Sequence, residues 1–148
     1  MKKKLIGLFT LFILSCPLFA QSDADKATQM VQKAAEYYDS NGKDATLTEI
    51  GKSQGQFVDG EIYVFAYDLD AVMLAHPKNP KLVGKNLMDV PDVDGKMFRK
   101  EIVDTAKNQK SGWIDYKYKN PDTGKIENKT TYVQLKGDII LCCGIYKK

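Results

Sequence analysis

The chain has 148 residues, 43% of them hydrophobic and 28% charged, with a formal net charge of +3. Lys2, Lys3 and Lys4 precede a ten-residue apolar run at 5–14, and Phe19-Ala20 precedes a polar start, so residues 1–20 are expected to be a secretory signal peptide, too short in its apolar part to span a bilayer. Without that leader, basic and acidic residues stand at 19 each; the positive surplus of the whole chain then says nothing in favour of nucleic acid, and no basic stripe revives the idea.

Ile13-Leu14-Ser15-Cys16 offers a second export reading, a lipobox with Cys16 as the acylated residue, although Leu14 and Pro17 fit it poorly. Residues 21–148 are long enough for one domain with a real core. The spacing predicts a long helix over 22–40, capped by Ser22 or Asp23, with Ala24, Ala27, Met30, Val31, Ala34, Ala35 and Tyr38 on one face and Asn41-Gly42 as its stop. A short helix is expected over 44–52, followed by breaks at Gly51, Gly55 and Gly60.

Residues 61–84 organise the rest. A strand begins there that is apolar on both faces, with Ile62, Val64 and Ala66 on one side and Tyr63, Phe65 and Tyr67 on the other. Such a strand must be covered twice, which places it in the middle of a sheet. A polar turn at 68–70 reverses the chain into a second strand, 71–75, which runs into His76-Pro77. His76 is the single histidine of the protein. The following stretch, 77–95, carries Leu82, Val83, Leu87, Met88 and Val90 and is expected to fold back over the body as a binding loop or lid. Asp89, Asp92 and Asp94 lack the spacing of a calcium loop and read as a turn with a helix cap.

An amphipathic helix is predicted over 96–110, with Met97, Ile102, Val103 and Ala106 toward the core and Phe98 off the main stripe. Three strands follow, at 113–119, 126–135 and Ile139–Tyr146, joined by tight turns that favour antiparallel pairing. Cys142 and Cys143 are neighbours on the last strand, so they face opposite sides and read as core residues. The prediction is an α+β domain: a central five-stranded antiparallel sheet, the long helix on one face, the loop and third helix on the other.

That second face gathers the chemistry. Tyr63, Phe65, Tyr116 and Tyr118 supply aromatic walls with hydroxyl tips. Lys129 shares the parity of Thr131, Val133 and Leu135, so its ammonium starts from an apolar face, where it needs an anion or an escape to water. His76 follows Val72 and Leu74 in parity and also starts from a buried face. One ammonium, one imidazole and several phenols around a covered cavity suit a small carboxylate. Enzymatic readings find no support: no Gly-x-Ser-x-Gly elbow, no phosphate loop, no haem-attachment motif, and no histidine–cysteine set that could close a zinc site.

At these residues the chain resembles the type-2 single Cache (sCache) domain, the small-molecule sensing module of bacterial receptors. The match over 55–146 runs through Tyr63-Val64-Phe65, Ala75-His76-Pro77, Leu82-Val83-Gly84-Lys85-Asn86, Asp94-Gly95, and Phe98 with Glu101. It continues through Gly112-Trp113 with Tyr116, Lys129 with Tyr132-Val133, and Gly144-Ile145-Tyr146. The chain departs from the family at Asp70-Ala71, where glycine is frequent. The resemblance implies a PAS-like sheet and a pocket for organic acids such as acetate, propionate, pyruvate or lactate. It implies no catalysis, no metal and no cofactor. Carried over by position, Tyr63, His76, Phe98, Trp113, Tyr116, Tyr118 and Lys129 are its candidate ligand-binding residues, beside Phe65 from the strand reading. Lys129 would pair the carboxylate, His76 and the tyrosines would hydrogen-bond it, and Phe98 and Trp113 would close the cavity. Because the sequence ends at Lys148, it reads as a free-standing periplasmic member that signals through a separate membrane-bound receptor or kinase. The alternative is an accessory module that docks such a partner through the long helix and keeps only a vestigial pocket.

Overall fold

A computed structural model describes residues 21–147. The expected signal peptide, the lipobox and Cys16 lie outside the described residues. Helix α1 is Asp23–Asn41 and α2 is Lys43–Ile50. The strands are β1 (Val58–Asp59), β2 (Ile62–Asp68), β3 (Met73–Ala75), β4 (Ser111–Lys119), β5 (Ile126–Lys136) and β6 (Ile139–Tyr146), with helix α3 (Phe98–Gln109) before β4. All pair antiparallel in one sheet of order β1-β2-β6-β5-β4, and β3 shares the outer edge of β2 with β1. The fold is the expected α+β sheet with its long helix, enlarged by a two-residue strand, β1. One expectation shifts: the 62–75 hairpin is not the sheet's middle. β6 holds the centre between β2 and β5, while β3 is an edge.

Helix α1 starts where Ser22 Oγ accepts from the Asp25 backbone N–H, and it stops where Gly42 takes a φ of 83° and donates to the Tyr38 carbonyl. A left-handed residue ends a helix cheaply only if it has no Cβ. Ala27, Val31, Ala34 and Ala35 bury one stripe of α1 against Ile62, Val64, Ala66, Ile139, Leu141 and Cys143. The small residues of that stripe let the helix lie close to the sheet.

The opposite layer is larger. Tyr63, Phe65, Tyr67, Ile114, Tyr116, Val133, Ile140 and Cys142 pack under α3 and the 77–97 segment. Strand alternation therefore sends Cys142 to one core and Cys143 to the other, both as free buried thiols. The 77–97 segment is tied down along its length. Met73, Gly84 and Leu87 exchange backbone hydrogen bonds between it and the β2–β3 connection, and Val72 bridges Asn86. Leu87 is buried and Leu82 and Met88 pack on the core, whereas Val83 and Val90 are exposed. Asp92 clips the segment to the sheet: its Oδ1 accepts from the Asp94 and Lys96 N–H groups and its Oδ2 from the Lys117 N–H.

Two local features depart from the simplest reading. At the position where the sequence leaves the family pattern, Ala71 takes a φ of 57°, a left-handed conformation that costs an L-residue with a Cβ about 1 kcal/mol or more. In α3, Met97 is exposed rather than core, because it precedes the first helical residue. Arg99 takes its place on the buried stripe with Ile102, Val103 and Ala106.

Candidate functional site

Lys129 is the centre of the second layer. Its strand parity points it inward, and only 2% of it is exposed. Nζ donates to the hydroxyls of Tyr63 at 3.2 Å and Tyr146 at 3.4 Å. Four rings surround it, their centres at 4.8 Å (Tyr63), 5.4 Å (Phe65), 5.3 Å (Tyr118) and 4.7 Å (Tyr146). Ring faces attract a cation, yet neutral rings and phenols do not replace an anion. Eight ion pairs hold the surface among the described residues, and Lys129 belongs to none of them. Burial lowers its pKa to about 8, the two cysteines working weakly the other way.

His76 is buried beside this cage. Its ring stacks on Phe65 at 5.6 Å and leans on Tyr63 at 5.2 Å. It reaches that side because the alternation breaks: Leu74 packs toward α1, and the register shifts between Ala66 and Tyr67. Nδ1 accepts the backbone N–H groups of Lys78 at 3.2 Å and Asn79 at 2.9 Å. Burial first, then the charges of Lys129 and Arg99, lower its pKa to about 3. The ring is therefore neutral with its proton on Nε2, a donor left over for a ligand. His76 lines a hollow of about 280 Å³ together with Lys78, Asn79, Tyr118 and Asn120. That lies just below the usual range of roughly 300–1,000 Å³ for ligand pockets and suits a small molecule. Asn120 fixes one rim by donating to Glu61 and Glu127, and a Lys78–Asp122 ion pair ties the other.

Phe98 and Tyr116 form a second wall, their rings parallel within 8° and 4.0 Å apart. The Tyr116 hydroxyl bonds that of Thr131 at 2.8 Å, so its tip is already satisfied. Tyr118 meets Phe98 edge-on and looks toward Lys129. Trp113 does not join this group. It is 42% exposed and leans on Tyr132, which packs toward α1; strand alternation puts it on the face opposite Ile114 and Tyr116. The closing role given to Trp113 on resemblance therefore has no geometry behind it.

Three residues were not singled out from the sequence. Arg99 is 4% exposed; Nε donates to the Tyr67 hydroxyl at 3.0 Å and an Nη to the Val90 carbonyl at 3.0 Å. Its signal was available, since Arg99 stands three, four and seven residues before Ile102, Val103 and Ala106. Tyr146 pairs directly with Lys129 across β5 and β6, a register that no linear spacing gives. Tyr67 lies on the same face of β2 as Tyr63 and Phe65 and supplies the partner for Arg99.

Comparison with known proteins bears on the fold and the family. A model of the Cache domain matches residues 21–146. A methyl-accepting chemotaxis protein, McpP of Pseudomonas putida, is 32% identical over 88% of this chain, which corresponds to 26% of that protein. A sensor histidine kinase, MctS of Rhizobium johnstonii, is 37% identical over 48% of this chain and 15% of its own length. The chain thus spans about a quarter or less of these curated relatives. A solved Cache chemosensory domain, described for carboxylic acid recognition, is 27% identical with a TM-score of 0.71, covering 86% of this chain and 100% of that one. With a family match across almost the whole described length, the chain belongs to the Cache domain family, in its type-2 branch.

Proposed function

We propose that this chain is a periplasmic sensory domain that binds short-chain organic acids such as acetate, propionate, pyruvate or lactate, without catalysis. The observation that carries the reading is the Lys129 ammonium, enclosed by four aromatic rings with only phenol partners. An isolated buried cation is costly, and a carboxylate would offset that cost directly. The neutral His76 donor beside it and the phenols of Tyr63 and Tyr146, kept protonated by burial, would complete the hydrogen bonds of the anion. Phe98 and Tyr116 would cover the apolar tail. Carboxylic acid recognition by the solved relative supports the same class of ligand.

Affinity has a ceiling. At about 1.5 kcal/mol per heavy atom, four-atom acetate gains at most about 6 kcal/mol, or tens of micromolar. The bound state would be passed to a membrane receptor or kinase, since the matched relatives are a chemotaxis receptor and a sensor kinase. Export by the signal peptide would place the domain where such receptors sense. Docking through α1 with a vestigial pocket gains no support from its surface: among the described residues the exposed large apolar side chains are Val83, Val90, Val93, Met97, Trp113 and Ile126, none on α1. Calorimetry with a panel of acids tests the reading. Binding of at least one monocarboxylate is expected in the micromolar to millimolar range, and silence across the panel would sink it.

A further inference from the structure

We propose that a protein partner docks in the hollow between the 90–93 stretch, the end of β4 and the start of β5, through a segment whose apolar side chains are flanked by acidic ones. The inference goes beyond acid binding and rests only on the last step of the reading above, the handover to a membrane receptor or kinase. Among the described residues six large apolar side chains are exposed, and three of them line this one hollow: Val90 at 45%, Val93 at 59% and Ile126 at 55%. It measures about 410 Å³, and the rings of Phe98 and Tyr118 also line it. Exposed apolar side chains scattered singly are ordinary, whereas a group of them around a concavity marks an interaction surface.

The charge of the lining selects the partner. Arg99, Lys117 and Lys119 border the hollow, and Asp92 is the one acid among its lining residues. Asp92 is turned to the backbone, its carboxylate accepting the N–H groups of Asp94, Lys96 and Lys117. Lys117 pairs with Asp94 at 2.8 Å, whereas Lys119 is exposed and belongs to none of the eight ion pairs among the described residues. Arg99 spends two of its five N–H donors on Tyr67 and Val90. The rim is therefore positive even with Asp92 and Asp94 counted, so an acidic neighbour is drawn to it and a basic one repelled. A concave site takes projecting side chains, which a protein segment presents and the flat face of a bilayer does not.

The hollow also shares a wall with the candidate site. Tyr118 lines both this hollow and the one beside His76, and its ring stands 5.3 Å from Lys129 Nζ. A partner seated here rests on a ring that also faces the buried ammonium.

The test is photocrosslinking of the full chain in its own cells, with a photoreactive phenylalanine analogue in place of Val93, followed by sequencing of the crosslinked peptide by mass spectrometry. Val93 is exposed, so the replacement leaves the core intact. The expected product is a peptide from a membrane receptor or kinase in which acidic residues flank apolar ones. Adding Lys119→Glu or Ile126→Asp should each lower its yield at least tenfold. A crosslink to a second copy of the chain, to a peptide without acidic residues, to scattered unrelated proteins or to none would overturn the proposal. So would an unchanged yield in both added variants. Sedimentation of the purified protein with phosphatidylglycerol vesicles, lost in Ile126→Asp, would assign the surface to lipid instead. Silence of the acid panel in calorimetry would leave the docking surface standing, and an absent crosslink would leave the acid-binding reading standing.

Discussion

A Cβ placed on Gly144 would stand 2.1 Å from Lys129 Cε and 2.6 Å from Thr131 Oγ1. Gly144 faces Thr131 across the β5–β6 ladder, and Lys129 faces Tyr146. The lysine stem therefore lies over the backbone of β6 at the one place where no side chain rises to meet it. Gly144 is not in the left-handed region, so its role is room rather than conformation.

Gly144→Ala should accordingly push Lys129 out of its cage. We expect a loss of about 1–3 kcal/mol in urea unfolding, the usual cost of overpacking. Acid binding should weaken at least about tenfold, the equivalent of about 1.4 kcal/mol. Unchanged binding in this variant would mean that Lys129 does not meet the ligand from this rotamer.

Lys129→Met keeps most of the volume and removes the charge. Replacing buried ions by apolar residues of similar size is often neutral or stabilising, so unfolding free energy should rise by about 1–3 kcal/mol while acid binding disappears. Tyr63 and Tyr146 lose the donor they share. A variant that is both less stable and still binds acids would contradict the role given to this ammonium.

Binding should also depend on alkaline pH. With the Lys129 pKa near 8 in the free protein, the charged form needed to pair a carboxylate declines above that value. Binding then takes up a proton, and the dissociation constant should rise up to about tenfold per pH unit above about pH 8. Calorimetry in buffers of different ionisation enthalpy measures the proton directly. A dissociation constant that stays flat from about pH 7 to about pH 10 would count against a titrating lysine at the anion.

His76 makes a prediction for stability. Its folded pKa of about 3 lies below the ordinary 6.5, so the unfolded chain binds the proton first. Stability from this group is present above pH 6.5 and is lost as pH falls toward about 3. His76→Asn offers an oxygen to the N–H groups of Lys78 and Asn79 in place of Nδ1 while removing the titration. Its unfolding free energy should fall less steeply between about pH 6.5 and about pH 4.5 than that of the wild type, above the range where carboxylates contribute. Parallel slopes in that window would show that the imidazole is not held neutral by the fold.

Much of the architecture was legible because it depends on short-range period. Alternation in β2 assigned Tyr63, Phe65 and Tyr67 to one core and Ile62, Val64 and Ala66 to the other. The same rule sent Lys129 inward with Thr131 and Val133. It also set Trp113 apart from Ile114 and Tyr116; the family resemblance, not the pattern, had drawn Trp113 into the site. Period three to four puts Arg99 on the buried stripe of α3, which the sequence reading had assigned to Met97 with Ile102, Val103 and Ala106. His76 escaped the parity argument because a register shift in the hairpin turns it to the aromatic side.

The sequence by itself determined which side chains leave water, since each helix or strand carries its own repeat and the burial cost of a wrong face is large. Only the tertiary structure decided which of them meet. Tyr146 reaches Lys129 through a strand register, Arg99 finds Tyr67 and Val90 through the seating of α3, and Gly144 clears space for a lysine 15 residues away in the chain. Those are distances between elements, fixed by how whole faces fit together, and no local spacing encodes them.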